Sequence, residues 1–175
     1  LAALSSRKRK QIRKERAAVA EAGVSLRAIE GAELTPRIWD RFHRFYASTY
    51  DRNWGRPYLT RRFFDLLGER MGDKVVLIWA ERGGSAIAAA LNLRGAEALY
   101  GRNWGGSEDV PFLHFEACFY QAIDYASAHR LERVEAGTQG PHKLARGYLP
   151  VVTWSAHWIE RPGLREAVAT YCRRE

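Results

Sequence analysis

Three apolar segments in the middle of the sequence restrict the fold more than any other feature. Residues 74–80 are almost entirely apolar, as expected of a strand that is covered on both faces. Gly83 and Gly84 form a two-residue hairpin signal, and residues 86–93 and 98–104 are predicted to be the next two strands. The pattern therefore predicts an antiparallel meander at the centre of a sheet.

Helical periodicity and capping residues flank this meander. Six helices are predicted, beginning near residues 6, 36, 61, 111, 141 and 162. The first follows a serine cap at Ser5 or Ser6 and stops before Gly23. Apolar spacing in the third predicts four inward side chains: Phe63, Leu66, Leu67 and Met71.

The topology changes after residue 104. A strongly apolar helix at 111–129 joins strand 98–104 to a short predicted strand at 133–136, which gives a right-handed crossover if the two strands are parallel neighbours. Residues 151–159 are predicted to be a long final strand. The predicted fold class is α/β (α+β), a mixed and mostly antiparallel sheet flanked by helices.

Composition and charge suit one globular domain. The chain has 175 residues, of which 46% are hydrophobic. Its net charge of +8 is concentrated in residues 7–16, where seven lysines and arginines accompany one glutamate. We divide the domain into a basic opening helix at 1–23 and a body at 24–175. The two cysteines give no disulfide framework, so we expect a reducing, cytoplasmic setting. No apolar run reaches the roughly 20 residues of a membrane span.

The densest polar segment is 135–147, where a predicted strand ends and a short helix begins. Ligands of open α/β sheets bind at such strand ends, and the N–H groups of a helix start favour an anion or a developing oxyanion. His142 and Arg146 lie four residues apart and share one helical face. The segment predicts a ligand site, and an ordinary turn with solvated Lys143 and Arg146 is the alternative.

Two glutamates have competing interpretations. Glu135 is expected in an interior strand, either as a general base or in an ion pair with Arg102, Lys143 or Arg146. Glu116 stands near the start of the long helix, where the helix dipole alone would favour it. The spacing of histidines and cysteines matches no metal site, so no metal is expected.

Several separate segments, in order, resemble one family. These are the basic opening helix, residues 52–58, Tyr-Gly-Arg-Asn-Trp-Gly at 100–105, Leu-His-Phe-Glu at 113–116, and the stretch 137–147. They resemble the FemAB-like acyltransferases of peptidoglycan biosynthesis or recognition, which have the GNAT fold. The resemblance covers nearly the whole chain. Family members tend to carry two tandem GNAT-like domains, and this chain resembles the second, so we expect an N-terminal domain before it.

The resemblance implies transfer of an acyl or aminoacyl group to an amine of a small molecule or peptide. Our hypothesis is direct transfer with Glu135, His142 and Lys143 as catalytic residues. The residues expected to bind substrate are Tyr100, Arg102, Trp104, His114, Glu116, Gln139 and Arg146.

The acyl donor stays open between acyl-CoA and aminoacyl-tRNA. The loop that holds the pyrophosphate of coenzyme A in GNAT enzymes is absent before the long helix, where Glu108 and Asp109 stand instead. Residues 7–16 offer a possible contact for tRNA. The alternative function is a non-catalytic module that recognises a peptidoglycan precursor or a nucleic acid.

Overall fold

A computed structural model describes residues 4–51, 55–137, 140–152 and 154–174. The strands are β1 Val24–Glu30, β2 Val75–Arg82, β3 Ser85–Arg94, β4 Ala98–Gly106 and β5 Arg133–Glu135. The helices are α1 Ser6–Glu21, α2 Pro36–Asp51, α3 Arg61–Met71, α4 in three segments (Leu113–Phe115, Glu116–Tyr120 and Gln121–Ala128), α5 Pro141–Leu144 and α6 Pro162–Cys172. Two 3₁₀ turns, Gly31–Glu33 and Gly72–Lys74, precede α2 and β2.

The five strands form one sheet in the order of the chain. The first four pair antiparallel, and β5 pairs parallel with β4. Gly83 and Gly84 make the β2–β3 turn with φ values of 57° and 76°, which glycine adopts without strain. The predicted mixed sheet and the predicted parallel pair joined by the long helix are confirmed.

Local capping explains where α1 and α3 begin. The Ser5 side chain accepts a hydrogen bond from the Lys8 amide at 3.4 Å, and the Thr60 side chain accepts one from the Phe63 amide at 3.3 Å. Gly23 follows α1 with a φ of 73°. These predicted starts and stops are confirmed.

Helices cover both faces of the sheet. Leu77 and Trp79 of β2 belong to a core with the aromatic residues of α2 and α3, while Val76 and Ile78 belong to a core with α4. This is the alternation of a strand that is buried on both faces. Val19 joins α1 to the same side of the sheet as α4, in a core that also includes β1 and β3.

The predicted inward face of α3 is wrong in part. Phe64 and Leu67 are buried, whereas Phe63 and Met71 are exposed. Phe64 packs against Trp39 and Phe42 of α2 with ring centroids 5.9 and 5.3 Å apart. The aromatic face of α2 therefore selects which of two adjacent phenylalanines turns inward.

The long helix α4 differs from the prediction at its start and in its middle. It begins at Leu113 rather than Pro111, after Phe112 with a φ of 65°. Its second segment, Glu116–Tyr120, is π-helical. A π segment inserts an extra residue into a turn and is often found at functional sites.

The predicted final strand at 151–159 is wrong. Of this range the structure describes 151–152 and 154–159, and these residues belong to no strand. They are largely exposed, Trp154 to 93%. Valine and tryptophan give the segment the composition of a strand, but a strand forms only when it pairs with a neighbour. The edge strand β5 is only three residues long and offers little backbone for such pairing. Within the described part of the chain, no helix is long and apolar enough to cross a membrane.

Candidate active site

A gap opens where β4 and β5 separate. The two strands pair at Ala98 with Arg133, through Tyr100 with Glu135, and β5 then ends while β4 continues. Further along β4, helix α2 contacts the strand: Thr49 Oγ1 donates to the Trp104 carbonyl at 3.1 Å. The stretch of β4 between these two contacts borders a cavity of about 280 Å³.

The cavity is lined from four directions. Its described lining residues are Ala90, Leu91 and Asn92 of β3, Gly101, Arg102, Asn103 and Trp104 of β4, His114, Cys118 and Phe119 of α4, and Ala136, His142 and Lys143 from β5 onward. The end of β5 and the middle of its parallel neighbour β4 therefore meet the start of α5 at one site, near the strand end where ligands of α/β sheets bind.

A β-bulge shapes the β4 wall. Leu91 pairs with Asn103 and Asn92 pairs with Gly101, so Arg102 is the extra residue on β4. Asn92 is buried, and its Nδ2 donates to the carbonyls of Val76 at 3.4 Å and Ala90 at 3.3 Å. The bulge breaks the regular alternation of β4 at the cavity.

The first two segments of α4 supply the aromatic wall. The His114 ring lies edge-on to Trp104 at 5.4 Å and to Phe119 at 5.6 Å, measured between centroids. Burial lowers the pKa of His114 to about 4, and the positive charges of His142, Arg146 and Lys143 act in the same direction. His114 nevertheless keeps an exposed side, so solvent in the cavity moderates this effect. Burial raises the pKa of the Cys118 thiol, which disfavours a thiolate nucleophile.

Helix α5 supplies the opposite wall. The His142 ring packs near Phe115 and Phe119, at centroid distances of 6.0 and 5.7 Å. Lys143 Nζ donates to the Gly137 carbonyl at 3.1 Å. Gly140 has a φ of 115°, and a Cβ there would lie 2.3 Å from His142 Cε1. Glycine is therefore required for His142 to take this position.

A buried ion pair holds α5 in place from behind. The Arg146 guanidinium donates to both carboxylate oxygens of Glu15, at 3.1 and 3.0 Å, and to the His142 carbonyl at 3.0 Å. Its Cζ lies 3.4 Å from the centroid of the Phe115 ring. The Tyr120 hydroxyl also donates to Glu15. We call Glu15 and Arg146 the α1–α5 ion pair; Arg146 lies in the turn after α5 and, through the His142 carbonyl, links that helix to the opening helix.

The structure brings together five of the residues that the sequence indicated. Those that line the cavity are Arg102, Trp104, His114, His142 and Lys143. Tyr100, Glu116, Glu135 and Arg146 do not line it. Gln139 lies outside the described residues.

Both glutamates are bound elsewhere. Glu135 pairs with Arg133 at 3.2 Å, and its side chain is 42% exposed. The expectation of an interior strand is wrong, because β5 is the edge strand of the sheet, and the partner is none of the three predicted cations. Glu116 is buried and pairs with Arg16 of α1 at 3.1 Å.

The other two residues outside the lining have structural contacts. The ring of Tyr100 packs over Gly95, where a Cβ would lie 3.1 Å from Tyr100 Cε2. Arg146 is only 9% exposed, and Glu15 occupies its guanidinium. Arg146 was expected to bind substrate, but its guanidinium makes a contact within the fold.

Eight of the thirteen described lining residues were not assigned to the site from the sequence, and Asn92, Cys118 and Phe119 are three of them. Asn92 lies in a strand whose other buried side chains are apolar, and this polar residue was the one available signal. Cys118 and Phe119 stand in the apolar stretch of the long helix, where periodicity alone indicates core positions. Their approach to the cavity depends on the π segment, for which the sequence gives no local sign.

Comparisons with known proteins agree with this architecture. The sequence profile of the FemAB-like family, described as peptidoglycan biosynthesis/recognition, matches residues 1–175. No significant match was found among curated proteins.

Several solved structures share the fold. A ribosomal-protein-alanine N-acetyltransferase from Brucella melitensis biovar Abortus 2308 is 13% identical, with a TM-score of 0.53 over 79% of this chain and 99% of that chain. An aminoglycoside N-acetyltransferase in complex with CoA is 10% identical, with a TM-score of 0.52 over 79% and 95%. A possible acetyltransferase from Clostridium difficile 630 is 9% identical, with a TM-score of 0.54 over 79% and 99%.

The sheet order, the helical crossover and the cavity between β4 and β5 define a domain with the acyltransferase fold known as GNAT. Within that class the chain belongs to the FemAB-like family, since the family profile spans all of it.

Proposed function

We propose that this domain is an N-acyltransferase that transfers an acyl group to the amine of a small molecule or a peptide. One observation carries the proposal: His142 and Lys143 of α5 and the bulged part of β4 line the same cavity. The fold and the family support the reaction class.

The reaction needs a proton acceptor and a group that stabilises negative charge. The amine nitrogen forms a bond to the acyl carbon, and the bond from that carbon to the donor's leaving group breaks. In this proposal an imidazole nitrogen of His142 takes the proton that the amine loses and returns it to the leaving group. Lys143 stabilises the oxygen of the tetrahedral intermediate. Arg102, Trp104 and His114 bind the substrates.

The positions of the two side chains favour His142 over Glu135 as the proton acceptor. Glu135 lies outside the described cavity lining and is bound by Arg133. A general base must come within hydrogen-bond reach of the proton that it takes. His142 lines the cavity, so an amine bound there can come within this reach.

The identity of the acyl donor is a separate part of the proposal. Acyl-CoA is supported by the similar fold of an enzyme solved with CoA. The loop before α4 does not fit a pyrophosphate, because Glu108, which pairs with Arg82, and the exposed Asp109 stand there. Acyl-CoA and aminoacyl-tRNA are therefore the two donors to be tested.

Replacement of His142 tests the proposal directly. We expect His142→Ala to lower kcat/KM for acyl transfer by about 10²- to 10⁴-fold, the usual contribution of a general base. Transfer is measured with acetyl-CoA and, separately, with alanyl-tRNA as donor. His157→Ala is the matched control, because His157 is exposed and bonds to Ser155. Equal rates in the two variants would contradict the assignment.

A binding module without catalysis is the second candidate. It is favoured by the lack of a carboxylate in the described lining, since Glu116 and Glu135 are both bound elsewhere. It predicts that ligands bind in the cavity while no donor supports turnover. Transfer by the wild-type protein with either donor would eliminate it.

A further inference from the structure

The charged side chains in the described cavity lining are all positive. Among the described residues, the lining contains the cations Arg102 and Lys143, the imidazoles of His114 and His142, and no carboxylate. An ammonium group that enters this cavity meets no opposite charge there. An anionic group meets two cations.

Both cations have unused donors. Lys143 Nζ donates to the Gly137 carbonyl, which occupies one of its three N–H groups; of the other two, one serves the oxygen of the tetrahedral intermediate in the proposed reaction and one is left for a ligand anion. Arg102 is exposed, and in the part of the chain that the structure describes it makes no hydrogen bond or ion pair. A guanidinium and an ammonium on adjoining walls suit a carboxylate or a phosphate.

The surroundings of His114 have the same positive charge. After burial, the causes that lower its pKa are the positive charges of His142, Arg146 and Lys143. A field that disfavours a proton on His114 also disfavours a ligand with several ammonium groups.

We propose that the acyl acceptor carries an anionic group of its own, a carboxylate or a phosphate, and that Arg102 and Lys143 bind this group. An amino acid or a peptide with a free carboxyl terminus has this chemistry, whereas a polyamine does not. This inference rests on the proposed function for the role of acceptor. The anionic group compensates the cations, and the amine then reaches His142 without an opposing charge.

Binding of matched ligands tests the inference without any donor. We expect glycyl-L-lysine to bind about tenfold to a hundredfold more tightly than its C-terminal amide, as measured by calorimetry. Phosphoethanolamine is compared with ethanolamine in the same way, so the two arms separate carboxylate from phosphate. Selectivity in either arm supports the inference.

Three variants locate the selectivity. Arg102→Gln and Lys143→Gln are each expected to remove most of the difference between acid and amide. Arg37→Gln is the control, because Arg37 is an exposed arginine of α2 outside the cavity lining. Circular dichroism and the thermal midpoint show whether each variant keeps its fold.

The outcomes separate this inference from the proposed function. Selective binding of the acids with no turnover would refute the enzyme and retain the anionic ligand. Turnover with equal kcat/KM for acid and amide would retain the enzyme and overturn the inference. Failure of both anionic ligands to bind, or tighter binding of a polyamine such as kanamycin, would also overturn it.

Discussion

His114 and His142 both pack against the same phenylalanine, Phe119, yet their surroundings differ. His114 belongs to the helix that packs on the sheet, and its pKa is lowered first by burial and then by the cations of α5. His142 belongs to a short helix whose position depends on Gly140 and Arg146. The sequence indicated both residues for the site, but their different environments follow only from the three-dimensional arrangement.

The lowered pKa of His114 makes a prediction about stability. Because its folded pKa of about 4 lies below the ordinary value of 6.5, the unfolded chain binds more protons between these values. The free energy of unfolding should therefore fall as pH decreases from about 6.5 towards 4. His114→Gln should reduce this dependence on pH, as measured by urea unfolding at pH 7 and pH 5.

His157→Gln is the control for this experiment, since His157 is exposed and outside the cavity lining. It should leave the dependence on pH unchanged. A His114→Gln variant whose stability falls with pH as steeply as that of the wild type would show that His114 titrates normally.

At the scale of the elements, α1 is part of the architecture that supports the site. The α1–α5 ion pair fixes Arg146 against the His142 carbonyl, and Arg16 binds the buried Glu116 of α4. The basic composition of α1 alone indicates a surface helix whose charges lie in water. Glu15 departs from this, because it is buried and its partner cation Arg146 lies 131 residues further along the chain. Arg16 departs from it in part, because it reaches the buried Glu116 of α4.

Loss of one member of the α1–α5 ion pair should be costly. Arg146→Met leaves the buried carboxylate of Glu15 without its partner cation, and we expect about 3–5 kcal/mol of destabilisation. Arg62→Met removes the exposed pair with Glu69 and should cost less than about 1 kcal/mol. Urea unfolding of the two variants measures both values.

The double variant Glu15→Leu, Arg146→Met completes the comparison. Because it removes both charges, it should be less destabilised than the sum of the two single variants. Additive losses would indicate that the two side chains contribute independently and that no buried pair links α1 to α5.

At the scale of the whole molecule, the part of the fold that follows from local signals could be predicted. The Gly83-Gly84 turn and the apolar period of α4 specify the meander and the crossover, and the crossover places β5 beside β4. The strand at 151–159 was wrong because pairing depends on a neighbouring edge. Glu135 could not be placed for the same reason, since composition does not distinguish an edge strand from an interior one.

The cavity beside β4 was anticipated only in outline. Polar residues at two strand ends indicated a shared site, and five of the indicated side chains line it. The bulge at Arg102 and the π segment of α4 determine its shape, and both arise from packing between elements. No periodicity in the sequence marks either irregularity.

Filling this cavity tests most directly whether it is the site of acyl transfer. Ala136→Trp and, separately, Asn103→Trp place an indole at the lining, and Ala96→Trp places one at the exposed turn between β3 and β4. We predict that both cavity variants keep their thermal midpoint but lose acyl transfer by at least about a hundredfold, while Ala96→Trp retains it. Full transfer by a folded variant with a filled cavity would contradict the account.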